Sequence, residues 1–213
     1  MGSQPLVATI VVIFSTMDGA LQTLLVRRSS DPEQGKWALP GGRWDGSESL
    51  DAAATRKLVE ETGARGVYLE QLFTTSGLDR SREAAVAVAY FALVDATRVR
   101  LRREEAWLPK WHRVDALPAL AFDNNVVIEQ AVARVGAKLG YTNIAYGLLP
   151  EQFTLRELQA TYEAIVRHPL DRRNFRKRML STGLIEATTE RRREGAHRPA
   201  LLYRFTAREP IFL

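Results

Sequence analysis

The stretch from Gly42 to Gly63 constrains this chain more than any other. It holds Gly42, Glu48, Arg56, Leu58, Glu60, Glu61 and Gly63 at set spacings. Leu50, Ala54 and Leu58 recur at every fourth position, which predicts a helix from Ser49 with one buried stripe, and Gly63 supplies its C-terminal stop. Pro40-Gly41-Gly42 predicts a tight glycine turn after a short strand at Lys36–Leu39. Such a turn lets backbone approach a diphosphate. Carboxylates three and four residues apart share one helix face and can collect hard cations such as magnesium. Those cations would bridge phosphate oxygens and activate water. An acidic pair near a helix end is otherwise simply solvated.

Taken together, these positions resemble the Nudix box, in which glycine and glutamate precede an Arg-Glu-apolar-x-Glu-Glu-x-Gly run. The resemblance implies a Nudix fold, an α/β architecture with a mixed sheet sandwiched by helices. One position departs from the pattern. Lys57 stands where the motif has a glutamate that the family uses as a metal ligand. Lys57 lies one turn before Glu61 on the same face, and a positive charge about 4 Å from a cation costs roughly 4 kcal/mol at near-surface dielectric. No metal is therefore expected there, and no catalytic residue is assigned. Lys57 instead pairs with Glu61 or a ligand phosphate. A surface lysine with metals held elsewhere is the alternative. A glycine turn beside cations remains an anion site, so a nucleotide diphosphate is expected to bind at Arg28, Gly41, Gly42, Lys57, Glu60 and Glu61, with its diphosphate near Gly41, Gly42, Lys57 and Arg28.

The flanks fit that fold. Leu6–Phe14 is β-branched and only nine residues long, a buried strand, too short for a membrane span. Thr23–Arg27, Val67–Thr74 and Glu83–Val94 read as further strands, with turns at Met17-Asp18-Gly19 and Gly77–Ser81. Ala106–Arg113 reads as a strand broken by Pro109. Asn124 to about Leu139 reads as a helix closing the half. A turn follows at Gly140–Asn143, and the domain junction is placed near Gly147–Pro150, giving domains at 1–147 and 148–213.

Charge separates the two parts. Residues 1–148 carry 17 Lys plus Arg and 17 Asp plus Glu, so the excess of +5 lies in the last 65 residues. A neutral body with a basic end points to a polyanion, although a solvated face has the same composition. Thr154-Leu155-Arg156-Glu157 is a capping-box pattern opening a helix, which His168-Pro169-Leu170 breaks. Asp171 caps a second helix running to about Ser181, with Phe175, Met179 and Leu180 expected inward and Arg172, Arg173, Arg176 and Lys177 outward. Gly183 ends it. Leu184–Thr188 and Ala200–Phe205 read as strands around a basic hairpin, Thr189–Pro199.

Helix, helix and basic hairpin make a winged helix-turn-helix. Arg172, Arg173, Asn174, Arg176 and Lys177 would face a DNA groove, where Arg can read guanine and Asn adenine. Arg191, Arg192, Arg193 and Arg198 would meet phosphates or a minor groove. An arginine-rich solvated face is again the bland alternative.

The combination resembles the NrtR family of Nudix-related transcriptional regulators of NAD metabolism. The resemblance is carried by Trp37-Ala38-Leu39-Pro40-Gly41-Gly42, Leu120-Ala121-Phe122-Asp123, Phe153-Thr154-Leu155 with Glu157-Leu158, Asn174-Phe175-Arg176-Lys177-Arg178, and Arg198-Pro199-Ala200 with Leu202-Tyr203. It implies a cytoplasmic homodimeric repressor on a palindromic double-stranded DNA operator, with ADP-ribose or a related NAD-derived nucleotide as effector and no required cofactor.

The chain has no cysteine and three scattered histidines, His112, His168 and His197. This excludes disulfides and thiolate chemistry and leaves no spacing for a zinc site. Trp37, Trp107 and Trp111 are read mainly as core, with adenine stacking as the alternative use. Two other functions use the same residues: an active Nudix hydrolase of the ADP-ribose pyrophosphatase type with an accessory basic domain, and an enzyme acting on RNA ends. Glu48, Glu60 and Glu61 favour the first, and Lys57 opposes it. Nothing resembles a single-strand stacking platform for the second.

Overall fold

Strand β1 (Leu6–Met17) is the axis of the first half. In the computed structural model, which describes residues 6–78, 84–101, 109–193 and 199–213, β1 runs parallel to β6 (Ala84–Leu93) from Leu6 to Phe14. Along its other edge, residues 8–10 pair with β4 (Gly41–Arg43) and residues 14–17 with β2 (Ala20–Arg27), both antiparallel. β5 (Tyr68–Leu78) joins β6, while β3 (Trp37–Ala38) and β7 (Lys110–Arg113) join β2. The result is a mixed sheet with the central order β3-β2-β1-β6-β5. The β1–β2 turn places Asp18 and Gly19 at φ 51° and 71°, the left-handed pair that matches strand twist in a two-residue hairpin.

Val11, Val12, Ile13 and Phe14 are wholly buried, because both faces of β1 are covered. Alternation sends Val11 and Ile13 toward helix α1 (Leu50–Thr62), and Val12 and Phe14 toward helix α2 (Asn124–Lys138). α1 buries Ala54 and Leu58 of the expected stripe. Ser49 accepts a hydrogen bond from the Ala52 N–H at its start, and Gly63, at φ 67°, donates to the Val59 carbonyl at its end. Of the expected Ala106–Arg113 strand, Lys110–Arg113 is extended, while Ala106, Trp107 and Leu108 lie outside the described residues. β5 continues through Gly77 and Leu78, the first two residues of the expected turn, while Asp79–Ser81 lie outside the described residues.

A short 3-10 turn, Ile144–Gly147, leads to β8 (Phe153–Thr154), α3 (Leu155–Val166), α4 (Arg172–Ser181), β9 (Ile185–Arg192) and β10 (Ala200–Phe205). β8, β10 and β9 form a small antiparallel sheet in that order. Thr154 and Glu157 close the capping box. α3 ends at Arg167, in the left-handed region at φ 59°, before His168-Pro169. Asp171 caps α4 through the Asn174 N–H at 2.8 Å. Phe175 and Met179 are buried as expected, but Leu180 is 44% exposed, because α4 presents only a narrow apolar edge to α3 and β9. The hairpin is also shorter than expected. Ladder pairing with β10 extends β9 through Arg192, so Thr189–Arg192 are strand.

One apolar cluster runs from Val12 and Phe14 in the sheet, through Leu139, Ile144 and Tyr146, to Phe153, Leu158, Phe175 and Phe205. Aromatic rings step across it: Tyr68 to Tyr146 at 6.3 Å, Tyr146 to Phe205 at 6.4 Å and Phe205 to Phe153 at 5.0 Å. The last residues then return to the first half. Asn143, wholly buried, donates to the carbonyls of Ala207 and Glu209 and accepts from the Ile211 N–H at 2.7 Å. The Leu213 N–H donates to the Tyr141 carbonyl. Among the described residues, no helix is long and apolar enough to cross a membrane.

Because Asn143 satisfies three backbone groups of the tail, Asn143→Ala leaves them to compete for water at a buried site. The expected loss is about 2–3 kcal/mol in a urea unfolding titration.

Candidate functional site

The first half of β1, with β4 beside it, and helix α1 hold the first cluster. Gly41 and Gly42 pair with Ile10 and Thr9. A Cβ on Gly41 would stand 2.5 Å from the Thr9 carbonyl oxygen, so the strand approach requires glycine. A Cβ on Gly42 would meet nothing within 4 Å, and Gly42 is exposed. Here the backbone is open to an incoming group.

On α1 the charges pair closely. Lys57 Nζ lies 3.2 Å from Glu61 Oε1 and 3.4 Å from Glu60 Oε2. Glu61 is wholly buried and the Lys57 side chain is only 15% exposed. Arg56 bridges Glu48 at 2.6 Å and Glu60 at 2.9 Å, which raises the Arg56 pKa through those hydrogen bonds. Burial alone would raise the Glu60 carboxyl, but the Arg56 hydrogen bond and the Lys57 charge outweigh it and hold it below its ordinary value. Each of these three carboxylates already faces a side-chain cation. The arrangement does not fit the divalent cluster that a Nudix fold implies, because Lys57 Nζ sits among the oxygens that would have to converge on the metal.

Arg28 is engaged differently. Its guanidinium donates to the carbonyls of Pro32 at 2.8 Å and Ser30 at 3.3 Å, and lies 4.8 Å from the centre of the Phe122 ring. Phe122 had no role in the sequence reading beyond its place in a motif; the contact spans 94 positions and leaves no periodic trace. Trp37 packs edge-on to His112 at 4.6 Å. Burial, with Lys110 nearby, holds His112 below the usual histidine range. Trp37 and Trp111 both pack against the core, and His197 lies outside the described residues.

The second cluster is α4 with the β9–β10 wing. Arg172, Arg173, Asn174, Arg176 and Lys177 are all exposed. Arg178 shares the helix but turns to the first half, donating to the Gly140 carbonyl at 3.0 Å. Arg191 and Arg193 are exposed, whereas Arg192 is partly buried and paired with Glu157, the capping-box residue of α3. The wing is thereby tied to the start of α3, a cross-link that sequence spacing does not reveal. Arg198 lies outside the described residues.

A Nudix-type sandwich followed by a winged helix with a cationic second helix defines a two-domain protein joining a nucleotide-site fold to a DNA-binding fold. Comparison with known proteins agrees. Residues 5–133 match the NUDIX domain model and residues 145–205 the NrtR DNA-binding winged helix domain model. The ADPR responsive transcriptional repressor NtrR of Acinetobacter baylyi is 40% identical over 98% of this chain and 85% of its own length. The crystal structure of Shewanella oneidensis NrtR complexed with a 27mer DNA superposes with a TM-score of 0.82, at 34% identity, covering 94% of this chain and 93% of that one. The NUDIX domain of the same protein, complexed with ADP ribose, superposes with a TM-score of 0.54 at 36% identity, covering 62% and 90%. The chain belongs to the NrtR family of Nudix-related, winged-helix transcriptional regulators.

The two glycines should respond differently to a methyl group. Gly41→Ala is expected to cost about 1–3 kcal/mol of stability, because the β1–β4 approach must open. Gly42→Ala should stay within about 0.5 kcal/mol. Paired urea titrations check the contrast.

Proposed function

We propose that this chain is an effector-controlled transcriptional repressor of NAD-metabolism genes. It binds a palindromic double-stranded operator as a homodimer, and its Nudix half senses ADP-ribose or a related nucleotide diphosphate. The observation that carries the reading is the outer face of α4, where Arg172, Arg173, Arg176 and Lys177 stand exposed together while Phe175 and Met179 anchor the helix. Asn174 adds an amide suited to adenine. Arg191, Arg192, Arg193 and Arg198 are assigned the phosphate or minor-groove contacts of the wing. That the Shewanella relative has been crystallised with DNA and with ADP ribose supports a DNA partner and a nucleotide effector.

In the Nudix half, the exposed backbone at Gly42 and the cation Lys57 receive the diphosphate, with Gly41 holding the turn and Arg28 on the same ligand. Glu60 and Glu61 act by fixing Lys57. We take the half as a sensor without hydrolytic turnover, since the carboxylates that would gather magnesium are engaged with Arg56 and Lys57. With domains at 1–147 and 148–213, the effector is assigned to the first and the DNA to the second.

A mobility-shift titration on the upstream region, with and without ADP-ribose, tests the whole reading. A specific shift whose midpoint moves with ADP-ribose supports it, and a shift indifferent to every nucleotide diphosphate removes the effector. Within that assay Arg176→Ala should lose roughly 1–3 kcal/mol and relax preference at one position of each half-site. Arg191→Ala should weaken all sequences alike and lower the salt slope by about one. Incubation of ADP-ribose with magnesium should give turnover far below about one per second, the low end of the ordinary enzyme range, and turnover near that rate would establish a hydrolase.

A further inference from the structure

We infer that Phe122, braced by Arg28 and Glu33, is the platform on which the aromatic base of the nucleotide effector stacks. This rests on the nucleotide-sensing reading above and names the residues that would recognise the base.

Phe122 has φ 53° and is 39% exposed. A bulky side chain in the left-handed region is strained, and neither a turn nor the core requires one there, since glycine or asparagine would hold the same backbone at lower cost. Such strain persists where surrounding structure enforces it, and it clusters at ligand clamps. The enforcement is visible. Glu33, itself at φ 68°, accepts the Phe122 N–H at 3.2 Å through a side chain that is wholly buried, and holds Lys36 at 3.1 Å. Two strained residues from separate loops thus fix one another.

The ring is braced as well. The Arg28 guanidinium, anchored on the Pro32 and Ser30 carbonyls, lies 4.8 Å from its centre. A cation against an aromatic face, with part of the ring left in solvent, is a rigid flat surface that a nucleobase matches in shape and in quadrupole.

The platform is also stitched to the glycine turn. The Ala121 N–H donates to the Trp37 carbonyl at 2.7 Å, and the Leu39 N–H donates to Asn124 Oδ1 at 2.7 Å. From Leu39, tied to Asn124, to Gly42 is at most roughly 10 Å of extended chain, so a base on Phe122 and a diphosphate at the exposed Gly42 backbone lie within the span of a single nucleotide diphosphate.

The test is calorimetric titration of the full chain with ADP-ribose, using wild type, Phe122→Leu, Phe122→Ala and Phe122→Trp, with each melting temperature recorded. Leucine keeps apolar volume but has no π face. Stacking predicts that Leu and Ala both weaken binding by about five- to a hundred-fold while Trp retains it, with melting temperatures close to wild type for Leu and Trp. Wild-type affinity in Phe122→Leu, or equal loss in the Leu and Trp variants, overturns the assignment and leaves the sensor reading intact. No binding by wild type overturns both.

Discussion

Tyr146 and Asn143 hold the two halves as one body, and the rest of the architecture depends on that seam. Tyr146 sits between Tyr68 of the first sheet and Phe205 of the second. Each such aromatic contact is worth about 0.5–1.5 kcal/mol beyond its buried area. Around them the polar groups are satisfied by the returning tail. Asn143 takes up Ala207, Glu209 and Ile211, while Arg208 donates to the carbonyls of Tyr146, Leu149 and Pro150. A linker free of such contacts would let the winged helix tumble. Here α3 packs directly on β2 and α2. Arg178 adds a further tie, reaching from α4 to the Gly140 carbonyl.

Electrostatics divides the molecule along the same seam. In the first half charges are matched locally: Lys57 between Glu60 and Glu61, Arg56 between Glu48 and Glu60, and Glu70 between Arg134 and Lys138. In the second half the outer face of α4 carries cations with no carboxylate in its first turn or on its exposed side. Local neutrality keeps a fold whole, while an unbalanced cationic face lowers the free energy of a polyanion placed against it. Arg192 shows why counting arginines overstates such a face, because its pairing with Glu157 spends part of its charge on joining the wing to α3.

Most of the elements were legible before any coordinates, and for identifiable reasons. The stripe of α1, the caps at Ser49, Thr154 and Asp171, and the stop at Gly63 are local signals, written within one or two turns of the residues they control. Prediction of inward Leu180 failed because α4 is packed on a narrow edge, and its apolar width is set by α3 rather than by its own periodicity. The extent of β9 was missed for a similar reason: Thr189–Arg192 look like loop in composition, and only pairing with β10 makes them strand. In the candidate site, the pairing of Lys57 with Glu61 and the glycine turn at Gly41 were legible because their spacing is helical or adjacent. The contact of Arg28 with Phe122, and of Glu33 with the Phe122 N–H, could not, because it closes across about ninety positions of chain.

The sequence by itself determined the periodic and punctuated features: a β-branched buried strand, an amphipathic helix with carboxylates on one face, a lysine among them, and a basic helix capped by aspartate. These follow from backbone geometry that repeats every two or 3.6 residues, so a linear pattern is enough to specify them. Only the tertiary structure decided which charges neutralise one another, which glycine is forced by a neighbouring carbonyl, where the tail after Phe205 goes, and that a strained phenylalanine is pinned beside the glycine turn. Those outcomes depend on distances between residues far apart in the chain, and such distances are set by the packing of the whole core around β1 and Tyr146.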